Sequence, residues 1–110
     1  DMKTEIINQL TKKGIEELKK LGDGNQTGYE ISHESIILSY DKPSTYTEQQ
    51  IIELTNERIK RILQKDKTNE LGLYICRDNE EISFESTKDG NYIAEYTEEI
   101  EDIKLHFLYD

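Results

Sequence analysis

Cysteine, tryptophan, proline and positive charge are scarce in this 110-residue chain: one Cys, no Trp, one Pro, and 14 Lys and Arg against 24 Asp and Glu. The lone Cys76 excludes an internal disulfide and a zinc site built on several cysteines, so no covalent or metal staple is expected. Such cysteine usage fits a reducing compartment, and the cytoplasm is the expected location. The two histidines, His33 and His106, stand at no metal-ligand spacing. No apolar run approaches the roughly 18 residues of a membrane span, and no apolar segment with a small-residue cleavage site opens the chain. Asp1 precedes what reads as an initiator Met2 and is set aside. A formal charge of −10 disfavours nucleic acid and anionic membranes as partners, because their phosphates require a basic patch. A basic protein is the partner that electrostatics favours. No cofactor is implied, since Gly22 and Gly24 precede a strand and form no phosphate-cradling loop before a helix.

What is present suffices for a fold. Ile, Leu and Phe supply 27 of 110 residues, above the roughly 20% at which a strongly charged chain stays disordered. One domain spanning residues 1–110 is expected. From Met2 to Leu21, Ile6, Ile7, Leu10, Gly14, Leu18 and Leu21 recur at helical spacing, predicting an amphipathic helix with a kink at Gly14 and an end at Gly22 to Asn25. Alternation over 36–40, in a stretch from Tyr29 to Asp41 rich in β-formers, predicts a strand. Thr47 and Gln50 form a capping-box pair, with Tyr46 and Ile51 at the staple positions. A second helix therefore starts there and runs to about Lys65, burying Ile52, Thr55, Ile59, Ile62 and Leu63.

Residues after Asn69 read as β-structure. A turn at Asp78-Asn79 sets Ile75 opposite Ile82 and Leu73 opposite Phe84. A second turn at Lys88-Asp89-Gly90 would set Phe84 opposite Ala94 and Ile82 opposite Tyr96, completing a meander. A further strand at 103–109 presents Ile103, Leu105, Phe107 and Tyr109 to one side, and Lys104, His106 and Leu108 to the other. The expected fold class is α+β: a two-layer sandwich in which an antiparallel sheet of four or five strands carries both helices on one face.

Charge is divided unevenly. Residues 1–67 sum to −1 and residues 68–110 to −9, with only Arg77, Lys88 and Lys104 basic in the second stretch. In the expected register Glu81, Glu85 and Glu95 share the outer sheet face with Tyr74, Ser83, Cys76 and Ile93. The following loop adds Glu98, Glu99, Glu101 and Asp102. Like charges crowded on a small sheet destabilise it, so either this is a solubilising face or it has a function. An aromatic and an isoleucine ringed by carboxylates form a common kind of protein-binding hot spot. The expected partner-binding residues are thus Tyr74, Glu81, Glu85, Ile93, Glu95, Glu98, Glu99, Glu101 and Asp102.

Catalytic patterns are weak. His33-Glu34-Ser35 is adjacent in sequence, whereas a triad is defined by geometry. Asp78-Asn79-Glu80-Glu81 lacks calcium-loop spacing and reads as a turn. Glu98 and Glu99 would need a cleft to serve in acid–base chemistry. Cys76 lies in a predicted strand among acidic groups, unlike the electropositive setting of a nucleophilic thiolate. No catalytic or metal residue is assigned, and the chain is expected not to be an enzyme.

The size, the Ile/Lys/Glu/Asn-rich composition, the α+β layout and the acidic meander through Phe84-Glu85-Ser86-Thr87-Lys88-Asp89-Gly90-Asn91-Tyr92 together resemble the small acidic immunity proteins of bacterial toxin–immunity systems. The resemblance implies neutralisation of one secreted toxin, commonly a nuclease with a basic groove. Carboxylates on the meander would fill positive potential that normally receives phosphates, and reversing Glu85 and Glu95 together should slow association. A phage-type inhibitor of a nucleic-acid-binding enzyme would use the same acidic mimicry. A subunit or regulatory domain of a larger assembly would instead expose an apolar patch around Tyr29, Ile37 and Leu108. An enzyme would show a concave pocket with convergent polar groups.

Overall fold

The computed structural model describes residues 2–90 and 93–110. Helix α1 (Met2–Leu21) turns Ile7, Leu10, Ile15 and Leu18 into the core, as the helical spacing requires. It is one unbroken helix, and Gly14 marks the place where it lies closest to the sheet, against Phe84 and Ile82. Helix α2 (Glu48–Asp66) starts at the expected capping box. Gln50 N–H donates to Thr47 Oγ1 at 3.1 Å, while Thr47 N–H donates to Gln50 Oε1 at 2.9 Å. Its buried stripe holds Ile51, Thr55, Ile59, Ile62 and Leu63, and Ile52 is only partly covered. The helices meet through a polar clasp: the Thr11 hydroxyl donates to Asn56 Oδ1, and Asn56 Nδ2 donates to Asn8 Oδ1 at 3.3 Å. Both pack on the same face of the sheet.

The sheet has six strands: β1 (Gly28–Ser32), β2 (Ser35–Ser39), β3 (Glu70–Cys76), β4 (Glu81–Glu85), β5 (Tyr96–Ile100) and β6 (Ile103–Tyr109). They form three hairpins laid side by side in the order β1-β2-β4-β3-β6-β5. The α+β layering is as expected, whereas the sheet is larger and mixed, because β3 and β6 run parallel. The strand expected at 36–40 is the second arm of a hairpin closed by Ser32 and Ser35. Ile75–Ile82 and Leu73–Phe84 pair as expected, across a four-residue loop from Arg77 to Glu80 with the positive φ at Glu80.

The second half of the meander is not formed. β4 pairs with β2, through Ile36–Ile82 and Ile37–Glu81, so Ala94 and Tyr96 do not face Phe84 and Ile82. Tyr96 instead opens β5, opposite Phe107. The expected turn at 88–90 is part of a longer connection, and Asn91 and Tyr92 of that stretch lie outside the described residues. A physical reason is visible in side-chain burial. Ile82 is fully buried under α1 and must be flanked on both sides by apolar strands. Ile36, wholly apolar and β-branched, suits that place better than Tyr96, whose hydroxyl would need a partner if buried there.

Candidate protein-docking surface

The nine residues singled out from sequence do not form one platform. Tyr74, Glu81 and Glu85 lie on the sheet face turned away from the helices, with Ser83 and Cys76. Ile93 and Glu95 belong to the connection entering β5, and are not on a strand. Glu98 and Glu99 are strand residues of β5, and only Glu101 and Asp102 form the turn after it. Successive strand side chains alternate in direction. Glu98, opposite Leu105, therefore points to the helix side, where Lys13 Nζ of α1 approaches its Oε2 at 3.4 Å. Glu99 points to the other side, opposite Lys104.

Cations also relieve the first group. Arg58 of α2 reaches Glu34 in the β1–β2 turn at 2.8 Å and Glu85 at 3.5 Å. Ser83 Oγ donates to the other Glu85 oxygen at 2.9 Å. The expectation of a surface unrelieved by basic groups is therefore corrected at Glu85 and Glu98. Tyr74 is tied down as well. A hydrogen bond to the Asp110 carboxylate, with burial, holds its phenol above the ordinary value, and the Cys76 thiol lies 3.6 Å from Asp110 Oδ2.

Thr87, Lys88, Gly90 and Ala94 of the connection line a cavity with Thr68, Glu70 and His106, so the connection passes near the start of β3. His106 is held there between Glu70 Oε1 and Thr97 Oγ1, each at 2.8 Å. Leu108 is 8% exposed and Tyr29 7%, and Ile37 is half-buried, so these three do not make the exposed apolar patch expected around them.

Charge and apolar exposure coincide elsewhere. Of the large hydrophobic side chains exposed among the described residues, Leu54, Ile93 and Tyr96, two sit at the entry to β5, at 90% and 54% exposure. Ile93 is among the residues expected from sequence, whereas Tyr96 is expected inside the sheet opposite Ile82 and instead stands at the edge. One side of the Tyr96 ring packs on Phe107, with centroids 5.1 Å apart, and the rest faces solvent. Glu95 adjoins this pair in the chain, Glu99 points to the opposite sheet face, and Glu101 and Asp102 form the turn at the far end of β5, so all four are exposed carboxylates strung along the same edge.

A cavity of about 750 Å³ lies in the helix layer over Ile6, Ile7, Leu63 and Ile103, with Lys3, Lys67 and Asp102 as its ionisable groups. His33, Glu34 and Ser35 fall in and just after the first hairpin turn, and Ser32 Oγ lies 3.4 Å from His33 Nδ1. Among the described residues no three His, Cys, Asp or Glu gather in a way that would hold a metal ion, and no helix is long and apolar enough to cross a membrane.

Fold and surface together define a small α+β domain with an acidic, partly apolar sheet edge. No protein-family model, curated protein or solved structure matches the chain.

Proposed function

We propose that the chain is a non-enzymatic inhibitory binding protein of the cytoplasm, an immunity protein that neutralises a cognate bacterial toxin with a basic active surface, such as a nuclease. The observation that supports this reading is one sheet edge that exposes Ile93 and Tyr96 at its entry and carries the exposed carboxylates of Glu95, Glu99, Glu101 and Asp102 along its length. Desolvating an aromatic anchor supplies affinity, and the charge along the edge steers a cationic partner and blocks the groove where phosphates would sit.

The test is co-expression with the product of the adjacent gene, followed by association kinetics. Protection of growth is expected, together with an on-rate that falls as salt rises. Reversing Glu95 and Glu99 to Lys should slow association about tenfold or more at low salt, with a smaller effect near physiological salt. Absence of protection, or an on-rate indifferent to both salt and charge reversal, overturns the reading.

A further inference from the structure

β5 ends the sheet, and among the described residues no other segment pairs with its far side. The opposite edge is closed. Tyr46 bridges to Tyr29 of β1, and the Glu30 carboxylate accepts hydrogen bonds from Thr45 N–H and Oγ1 at 2.6 and 2.7 Å. At the free edge, backbone direction follows from the neighbouring strand. Lys104 N–H donates to Asn69 O at 2.8 Å, toward β3 and away from β5. The facing pair Glu99–Lys104 is therefore not hydrogen-bonded, and by alternation neither is Thr97–His106. The N–H and C=O groups of Thr97 and Glu99 thus point out of the sheet.

Proteins usually blunt such an edge with lysine, proline or a covering segment. Residues 93–102 contain neither lysine nor proline, and five of them are acidic. A second copy of this chain paired along the same edge would set carboxylate against carboxylate, which is destabilising. A strand bearing Lys or Arg meets the opposite situation.

We propose that β5 receives an extended, basic segment of the partner protein as a seventh strand, hydrogen-bonded to Thr97 and Glu99, with its cations on Glu95, Glu99 and Glu101 and its apolar side chains on Tyr96 and Ile93. This rests on the docking function proposed above and adds the mode of engagement. Main-chain pairing supplies affinity in this mode, and side-chain charge selects the partner.

The probe is an acetylated, amidated peptide of alternating Lys and Val, about eight residues long to match an ordinary strand. With the full chain at low ionic strength, amide exchange at Thr97 and Glu99 should slow about tenfold or more on adding it. A peptide of equal charge with proline at alternate positions should have no such effect. Glu99→Pro removes an N–H that pairs with nothing inside the chain, so β5–β6 pairing survives while the slowing at Thr97 disappears. Glu99→Ala, which keeps the N–H, should weaken the peptide effect only a few-fold. A peptide that leaves both amides unchanged, or a dimer that protects them without peptide, overturns the proposal. Inhibition of the partner with both amides still exposed in the complex overturns the edge mode alone; edge pairing without inhibition overturns the inhibitory reading alone.

Discussion

A methyl group placed on Gly14 would lie 2.6 Å from Cζ of Phe84, closer than any relaxed carbon–carbon contact. The helix thus owes its depth over β4 to a missing side chain. Gly14→Ala sets two effects against each other. Intrinsic helix propensity favours alanine by about 1 kcal/mol. Overpacking against a ring that is 1% exposed costs about 1–3 kcal/mol, because Phe84 has no free space into which to move. Net destabilisation is expected in urea unfolding, and a stabilised variant would show that the helix can lift without loss.

Tyr40 and Glu80 join the first hairpin to the second. The Tyr40 hydroxyl donates to the Glu80 carboxylate, and Glu80 O accepts from Leu38 N–H at 3.1 Å. That hydrogen bond favours the protonated phenol, whose pKa is pushed up to about 12. Tyr29 and Tyr109, raised mainly by burial, and Tyr74, raised mainly by Asp110, shift in the same direction. A group whose pKa is higher in the folded state stabilises fully below its unfolded value and loses that contribution as pH climbs through the folded one. Stability should therefore decline from about pH 10 upward, with Tyr40 last to ionise near pH 12. Phenolate absorbance should show this late component, and Tyr40→Phe should delete it and flatten the alkaline loss. A single titration near pH 10 in the folded protein would contradict the assignment.

Which parts of this fold could be read from sequence depended on how each turn is made. The start of α2 was legible because Thr47 and Gln50 carry its capping chemistry locally. The hairpin turns were harder to read, since their left-handed residues are His33, Glu80 and Glu101, none of them the glycine or asparagine that marks such positions. Lys88-Asp89-Gly90 looked like a hairpin turn and is not one. Register across β3 and β4 survived because the apolar alternation fixed it independently of turn type. Pairing of β2 with β4, and of β3 with β6, joins segments separated by long stretches of chain, and no local pattern encodes such contacts. The acidic residues expected from sequence to share one face are divided between Glu81 and Glu85 on one side and the β5 edge on the other, a division that follows from those two long-range pairings.

Asp66, the last residue of α2, is 8% exposed and has one hydroxyl donor, Ser86 Oγ at 2.5 Å from its Oδ2. Lys88 reinforces the joint, donating from its backbone to Ser86 Oγ at 3.1 Å and from Nζ to Asp66 O at 2.6 Å. Ser86→Ala removes the donor and leaves a buried carboxylate oxygen unsatisfied, which costs about 1–3 kcal/mol. The expected result is a lower urea midpoint at unchanged slope, with faster amide exchange through residues 86–90. Asp66→Asn keeps an acceptor for the hydroxyl and should cost less. Equal losses in the two variants would mean that charge, and not the hydrogen bond, holds the connection.

Glu85 and Glu95, joined in the sequence reading as one charge-reversal test, separate in the structure. Glu85 shares Arg58 with Glu34, so Glu85→Lys brings a cation against the guanidinium that closes the gap between α2 and β4. The pair is partly exposed, and the loss should be on the order of 1 kcal/mol after solvent screening. Glu95 is exposed in the connection ahead of β5, next to Tyr96. Glu95→Lys should leave the urea midpoint in place and slow association with the basic partner, because it alters the edge field without breaking an internal contact. Measured side by side, the two single variants should divide: stability falls in Glu85→Lys, the low-salt on-rate falls in Glu95→Lys. If the on-rate falls equally in both, the docking surface extends across β4 and the face carrying Tyr74 and Glu81 belongs to it.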